Sequence, residues 1–193
     1  MEETYKLSSQ DECIINLDPD QALEEIMGLY GHEIKRLIFT YVKNQADTDD
    51  VSQEVFVTVY KKLHTFKGNS SLKSWLYAIA INKSKDYLRS WNLRNLNLRK
   101  RLTESFMRKS LKEESSEELL LKDKESKALI QTIMELPLKY REVIILYYFK
   151  DLSTKEIAEI LQVKDPTVRT RLRRARSRLK ETIRKEGGDL FGL

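Results

Sequence analysis

"DPTVRTRLRRARSRL", residues 165–179, carries six arginines in fifteen positions. It also places Val168, Leu172, Ala175 and Leu179 at steps of four, three and four. At about 100° per helical residue these four side chains fall within about 60° of one another, so a helix with one apolar stripe is predicted. Asp165 is a good N-cap and Pro166 a good first helical residue, which sets the start. Thr170, Arg173, Arg174 and Ser177 lie opposite the stripe, flanked by Arg169 and Arg176 on one side and Arg171 and Arg178 on the other. A helix laid on any small bundle explains the stripe, but it would mix lysine with glutamate on its polar face. Between Val168 and Leu179 there is no acid. That surface suits a polyanion.

Just upstream, "DLSTKEIAEIL" (151–161) pairs Ser153 with Glu156 as a capping box ahead of Ile157, Ile160 and Leu161. Only "QVKD" (162–165) separates the two helices, which makes them a helix-turn-helix candidate. The second helix would present Arg169, Thr170, Arg173 and Arg174 to a major groove. Arginine there can donate two bonds to a guanine edge, and threonine can meet a thymine methyl. Further upstream, Pro137 fits the first turn of a helix through "LKYREVIILYYF" (138–149).

Charge is segregated along the whole chain. Net charge is −9 over residues 1–60, +12 over 61–112, −4 over 113–160 and +6 over 161–193. Two acid-poor basic blocks separated by an acidic one point to two separate contacts with a polyanion. Gly and Pro are scarce, at 6 and 3 of 193 residues, which favours a mostly helical protein. The lone Cys13 excludes an internal disulfide and suits a reducing compartment. The acidic start "MEETYKLSSQDE" lacks the apolar run of a signal peptide, and "VIILYYF" (143–149) is too short to span a bilayer. A soluble, cytoplasmic protein with no direct membrane insertion is expected.

The N-terminal half reads as three helices. Residues 1–18 show no sustained period and are expected to be a tail. Apolar residues then recur at helical spacing from Asp20 to Val42, with an interruption expected near Gly28 or Gly31. A second helix is predicted from Asp47 to Leu63, with Val51, Val55 and Val59 on one side and Asp50, Gln53, Glu54 and the apolar Val57 on another. "TFKGNSS" (65–71) has loop composition, and a third helix is predicted from Leu72 to Trp91. It is apolar around most of its circumference except for a strip through Asn82, Lys85 and Arg89. Aromatics beside a basic strip are what unpaired bases and backbone phosphates need. The organisation expected is therefore all-α, with two small helical domains at 19–94 and 125–186, a linker at 95–124, and tails at 1–18 and 187–193.

Three segments together resemble the extracytoplasmic-function (ECF) group of bacterial sigma factors within the sigma-70 family. "DDVSQEVF" (49–56) resembles region 2.2, "FKGNSSLKSWLYAIAINKSKDYLR" (66–89) resembles regions 2.3 and 2.4, and "LPLKYREVIILYYFKDLSTKEIAEILQVKDPTVRTRLRRARSRL" (136–179) resembles region 4. The resemblance implies a promoter-specificity subunit of RNA polymerase. Asp50, Gln53 and Glu54 match the residues that dock on the polymerase β′ coiled coil, and region 4 implies a contact with the β flap. Phe66, Lys67, Gly68, Asn69, Ser70 and Ser71 match the loop that receives a base flipped from the −10 element. Asn82 matches a residue lining that pocket, and Lys85 and Arg89 would follow the nearby backbone. Arg169, Thr170, Arg173 and Arg174 match contacts with the −35 element. An anti-sigma protein is a further expected partner. The chain departs from the family pattern at Gln162, often glycine, at Lys164-Asp165-Pro166 in place of P-V-G, and at Val51-Ser52 in place of L-V.

Two other functions fit less of the chain. An ordinary helix-turn-helix regulator explains 136–179 but not the content and order of 47–91. An enzyme would need more than His32 and His64 far apart, one cysteine and no glycine-rich phosphate loop. No catalytic residue, cofactor or metal site is expected.

Overall fold

The computed structural model describes residues 7–101 and 124–185, the side chains of 95–101, 124–127 and 185 excepted. The helices are α1 (Ser9–Ile15), α2 (Pro19–Val42), α3 (Gln45–Lys62), α4 (Leu72–Arg101), α5 (Lys124–Glu135), α6 (Leu138–Ile144), α7 (Thr154–Leu161) and α8 (Asp165–Lys185). Among the described residues there is no strand. The chain divides into two compact units, residues 1–115 and 116–193.

In the first unit α2, α3 and α4 pack against one another through their apolar stripes. Ile26, Ile34 and Ile38 of α2, Val55 and Val59 of α3, and Leu72, Leu76 and Ile81 of α4 are wholly buried. Each such aliphatic side chain contributes about 1.5–3 kcal/mol by leaving water. Asp18 caps α2 by accepting from the amides of Asp20 and Gln21, and Pro19 takes the first helical position. The helix passes through Gly28 and Gly31 without a break, because both lie on open faces where packing asks nothing of them. α3 starts two residues before Asp47, because Asn44 caps it by accepting from the Asp47 amide. α4 continues past Trp91 to Arg101.

The expected tail at 1–18 is only partly one. Ser8 caps a short helix, α1, by accepting from the Asp11 amide, and this helix buries Asp11 and Ile14. A seven-residue helix shows too few turns for its period to be visible in sequence. Residues 1–6, the linker residues 102–123 and the tail 187–193 lie outside the described residues.

In the second unit α5, α6 and α7 all pack against α8. Pro137 does not begin α6 but precedes it in an extended conformation, with ψ 140°. Residues Ile145–Phe149 widen into a π-turn, closed by the Lys150 amide donating to the Ile145 carbonyl at 3.1 Å. The Ser153–Glu156 capping box is present in full at the start of α7. α8 includes Asp165 as its first residue, with the Lys164 carbonyl accepting from Thr167 and Val168. Val168, Leu172 and Ala175 are buried, as the stripe requires.

α7 ends at Gln162 in the left-handed region, φ 53° and ψ 46°. The Val163 amide reaches back to the Ala158 carbonyl at 2.9 Å across this residue. A side chain is strained there and glycine is not. Gln162→Gly should therefore stabilise the second unit by about 0.5–1 kcal/mol, read as a rise in the urea midpoint of its unfolding.

Candidate nucleic-acid interface

The orientation of α8 rests on a buried charge. Arg171, placed on the flank of the helix by its sequence, turns its guanidinium to Glu142 of α6 at 2.9 Å, and the Glu142 side chain is only 4% exposed. The neighbouring Arg141 is also buried, and its guanidinium donates to the carbonyls of Met134 and Leu136. With Arg171 directed inward and the apolar stripe seated, the opposite face of α8 is directed outward. Arg173, Arg174 and Ser177 are exposed there, as the helical wheel predicts.

Arg169 is mostly exposed but is not idle. Its guanidinium pairs with Asp165 one turn earlier at 2.8 Å. The Thr170 hydroxyl donates to the Pro166 carbonyl at 2.8 Å, which satisfies its proton and leaves its methyl free for an apolar contact. A hydrogen bond with Thr154 and the charge of Arg169 hold the Asp165 carboxyl below its usual range, against the opposing effect of burial. The ion pair with Arg169 holds this carboxylate within the first turns of α8.

Tyr140, which the sequence reading did not single out, is buried and forms the wall of a groove with Arg173, Arg174 and Arg178. The Arg178 guanidinium lies 5.1 Å from its ring centre, and the Lys139 ammonium 5.2 Å. Burial alone would raise the phenol pKa, but a hydrogen bond from Arg174 and the charges of Lys139 and Arg178 bring it below its ordinary value. On another side of α8, Arg176 sits 5.8 Å from the Tyr147 ring and 5.6 Å from the Tyr148 ring. These contacts join separate helices, so no period along α6 places its aromatics beside the arginines.

In the first unit the residues singled out fall into three groups. Phe66 leaves a short 3₁₀ turn, Leu63–Thr65, and packs its ring 5.3 Å from that of Trp75, tilted by 49°. Gly68 has φ 70°, so the loop needs its freedom, and Ser71 caps α4 by accepting from the Ser74 amide. Lys67 and Asn69 point to solvent, while Ser70 is half-buried. Asn82 and Arg89 are exposed and Lys85 half-buried on one strip of α4. Asn82 lies ten residues beyond Leu72, about 15 Å along the helix axis.

Asp50, Gln53 and Glu54 form the exposed face of α3, together with Val57, which is 53% exposed. Glu54 lies 3.7 Å from Lys83 of α4, and Asp49 beside this face pairs with Lys35 at 2.8 Å. An acidic surface with a bare valine at its centre is what a basic, partly apolar helix would cover.

Residues 26–93 match the model of Sigma-70 region 2, and residues 126–179 that of Sigma-70, region 4. The RNA polymerase sigma-H factor of Pseudomonas aeruginosa is 34% identical over 167 residues, 84% of this chain and 86% of that protein. The ECF RNA polymerase sigma-E factor of Escherichia coli is 35% identical, covering 80% and 82%. The chain belongs to the ECF sigma factors of the sigma-70 family. The ECF RNA polymerase sigma factor SigW of Bacillus subtilis, 31% identical over 84% of this chain and 89% of its own, is another relative. Among solved structures, CnrH in complex with the cytosolic domain of CnrY has a TM-score of 0.62 at 21% identity, covering 91% of this chain and 95% of that one. RpoE bound to the anti-sigma factor NepR from Bartonella quintana has a TM-score of 0.63 at 23% identity, covering 83% and 96%. Both share the fold of this sigma factor.

Two outcomes test the geometry. Arg171→Ala leaves Glu142 buried without this partner and should cost about 3 kcal/mol in urea unfolding. Asp165 is stabilising while ionised, above its unfolded value of 3.8, and loses that effect as pH falls through its lower folded value. The stability of the second unit should therefore decline on acidification, and Asp165→Asn should flatten that part of the pH profile.

Proposed function

We propose that this sigma factor binds core RNA polymerase and directs initiation at promoters by reading two separated DNA elements, one with each helical unit. The observation that carries this reading is the acid-free outer face of α8, held outward by the Arg171–Glu142 pair at 2.9 Å. Arg173 and Arg174 would reach base edges or phosphates of a −35 element, and Arg169 would join them by exchanging Asp165 for DNA. Thr170 would offer its methyl to thymine. Tyr140 would hold Arg174 and Arg178 in place from behind.

The first unit would take the −10 element. Phe66, Lys67, Gly68, Asn69, Ser70 and Ser71 would receive a flipped base, an extrusion made easier once the strand is unpaired. Asn82 would line the pocket of that base, and Lys85 and Arg89 would follow the nearby backbone of the melted strand. Asp50, Gln53, Glu54 and Val57 would dock on the β′ coiled coil, while the exposed Tyr148 and Phe149 of the second unit would suit an apolar partner such as the β flap. The similar fold of RpoE, solved in complex with the anti-sigma factor NepR, supports an anti-sigma partner for this chain as well. Such a partner would compete for these same surfaces. The protein would act in the cytoplasm as an initiation factor without catalysis of its own. Among the described residues no helix is long and apolar enough to cross a membrane, and no cluster of side chains could hold a metal ion.

Run-off transcription by purified core polymerase on a promoter library, with and without the protein, tests the whole reading. A transcript pattern independent of the protein would contradict it. Arg174→Ala should weaken use of the −35 element by about 1–3 kcal/mol, seen as a lost footprint and relaxed base preference there. The double change Phe66→Ala and Asn82→Ala should impair open-complex formation more than closed-complex binding. Permanganate reactivity of the melted strand would report it.

A further inference from the structure

The loop at 66–71 is held from outside by the segment that precedes α2. Asp11 of α1 is 5% exposed, and its Oδ2 accepts from the Leu72 amide at 3.2 Å, across 61 residues of chain. Leu72 opens α4, so this amide is one of the helix's first N–H groups, which have no partner within the helix. Ser71 satisfies the Ser74 amide through its hydroxyl and the Trp75 amide through its carbonyl, at 3.0 and 3.1 Å. The carboxylate therefore completes a cap that the loop supplies only in part. It also lies at the positive end of a long helix dipole, where a negative group is favoured.

A second contact comes from the same segment. A Cβ at Gly68 would lie 2.8 Å from Leu7 Cδ1, so the Leu7 side chain covers the loop where its backbone has φ 70°. Asp11 is itself fixed: its amide donates to the Ser8 hydroxyl at 3.0 Å. α1 also packs on α2, and burial, with the carboxylates of Asp11 and Glu33 adding to it, raises the Tyr30 phenol above its ordinary value. Two points of the base-receiving loop, its centre and its exit, are thus clamped by residues 7–15.

We propose that Asp11 and Leu7 are positioning residues for base recognition, setting the shape of the 66–71 loop without touching DNA. This rests on the reading of that loop as the −10 base receptor. A neutral amide oxygen can accept the Leu72 bond, whereas a methyl cannot, so Asp11→Asn should keep the function that Asp11→Ala loses.

The test uses the full chain with purified core polymerase and a promoter library randomised over both elements. Asp11→Ala and, separately, Leu7→Ala should reduce discrimination at the captured −10 position by more than about fivefold while leaving −35 preference and core binding as in wild type. Asp11→Asn should restore the −10 discrimination. Discrimination retained in both Asp11→Ala and Leu7→Ala overturns the proposal. So does a parallel loss of −10 preference, −35 preference and core affinity, which would mark a purely structural role. A wild-type protein with no base preference at the captured position would instead overturn the assignment of the loop itself, and the proposal with it.

Discussion

The bond between Arg171 and Glu142 sets the direction of everything α8 can do. An amphipathic helix seated only by Val168, Leu172 and Ala175 could rock about its axis, because apolar contacts are not directional. A charge-assisted hydrogen bond to a side chain that is 4% exposed adds the missing direction. Once Arg171 is directed inward, Arg173 and Arg174 have no course but outward. One arginine of the six is given up to packing so that the others face the solvent in a fixed register.

The first unit solves a related problem with backbone. α4 is a core helix over its first turns, with Leu72, Leu76, Ala80, Ile81 and Ser84 wholly buried, and a solvent-facing helix from Arg89 to Arg94. The loop that leads into it must therefore be both anchored and shaped. Anchoring comes from the Phe66–Trp75 contact and the Ser71 cap, and shape from the left-handed Gly68. The polar strip through Asn82, Lys85 and Arg89 continues from this anchored end.

The two units carry opposite charge on their α3 and α8 faces. The face of α3 is acidic around an exposed Val57, while the outer surface of α8 is basic. Complementary potentials of this kind choose partners and speed encounter more than they add affinity. An ECF sigma factor must engage a protein and a nucleic acid together, and opposite charges on separate surfaces keep those engagements from competing.

The sequence by itself determined the longer helices, the two acid-poor segments and the outward face of α8, because helical period and charge are local properties of a chain, while the short α1 was not legible. Family resemblance in "DDVSQEVF", "FKGNSSLKSWLYAIAINKSKDYLR" and the region around α7 and α8 was legible for the same reason. Helix starts were less so: Asn44, as good a cap as Asp47, starts α3 earlier, and Lys164 precedes α8 although Asp165 is the better cap by type, since a cap is settled by where the preceding chain enters. Only the tertiary structure decided that Arg171 turns inward, that Tyr140 stands behind the arginines, and that Asp11 closes the cap of α4. Each of these joins residues 29 or more positions apart or sets a side chain against a neighbouring helix. No periodicity along the chain carries such information, because it arises only when separate helices are brought into contact.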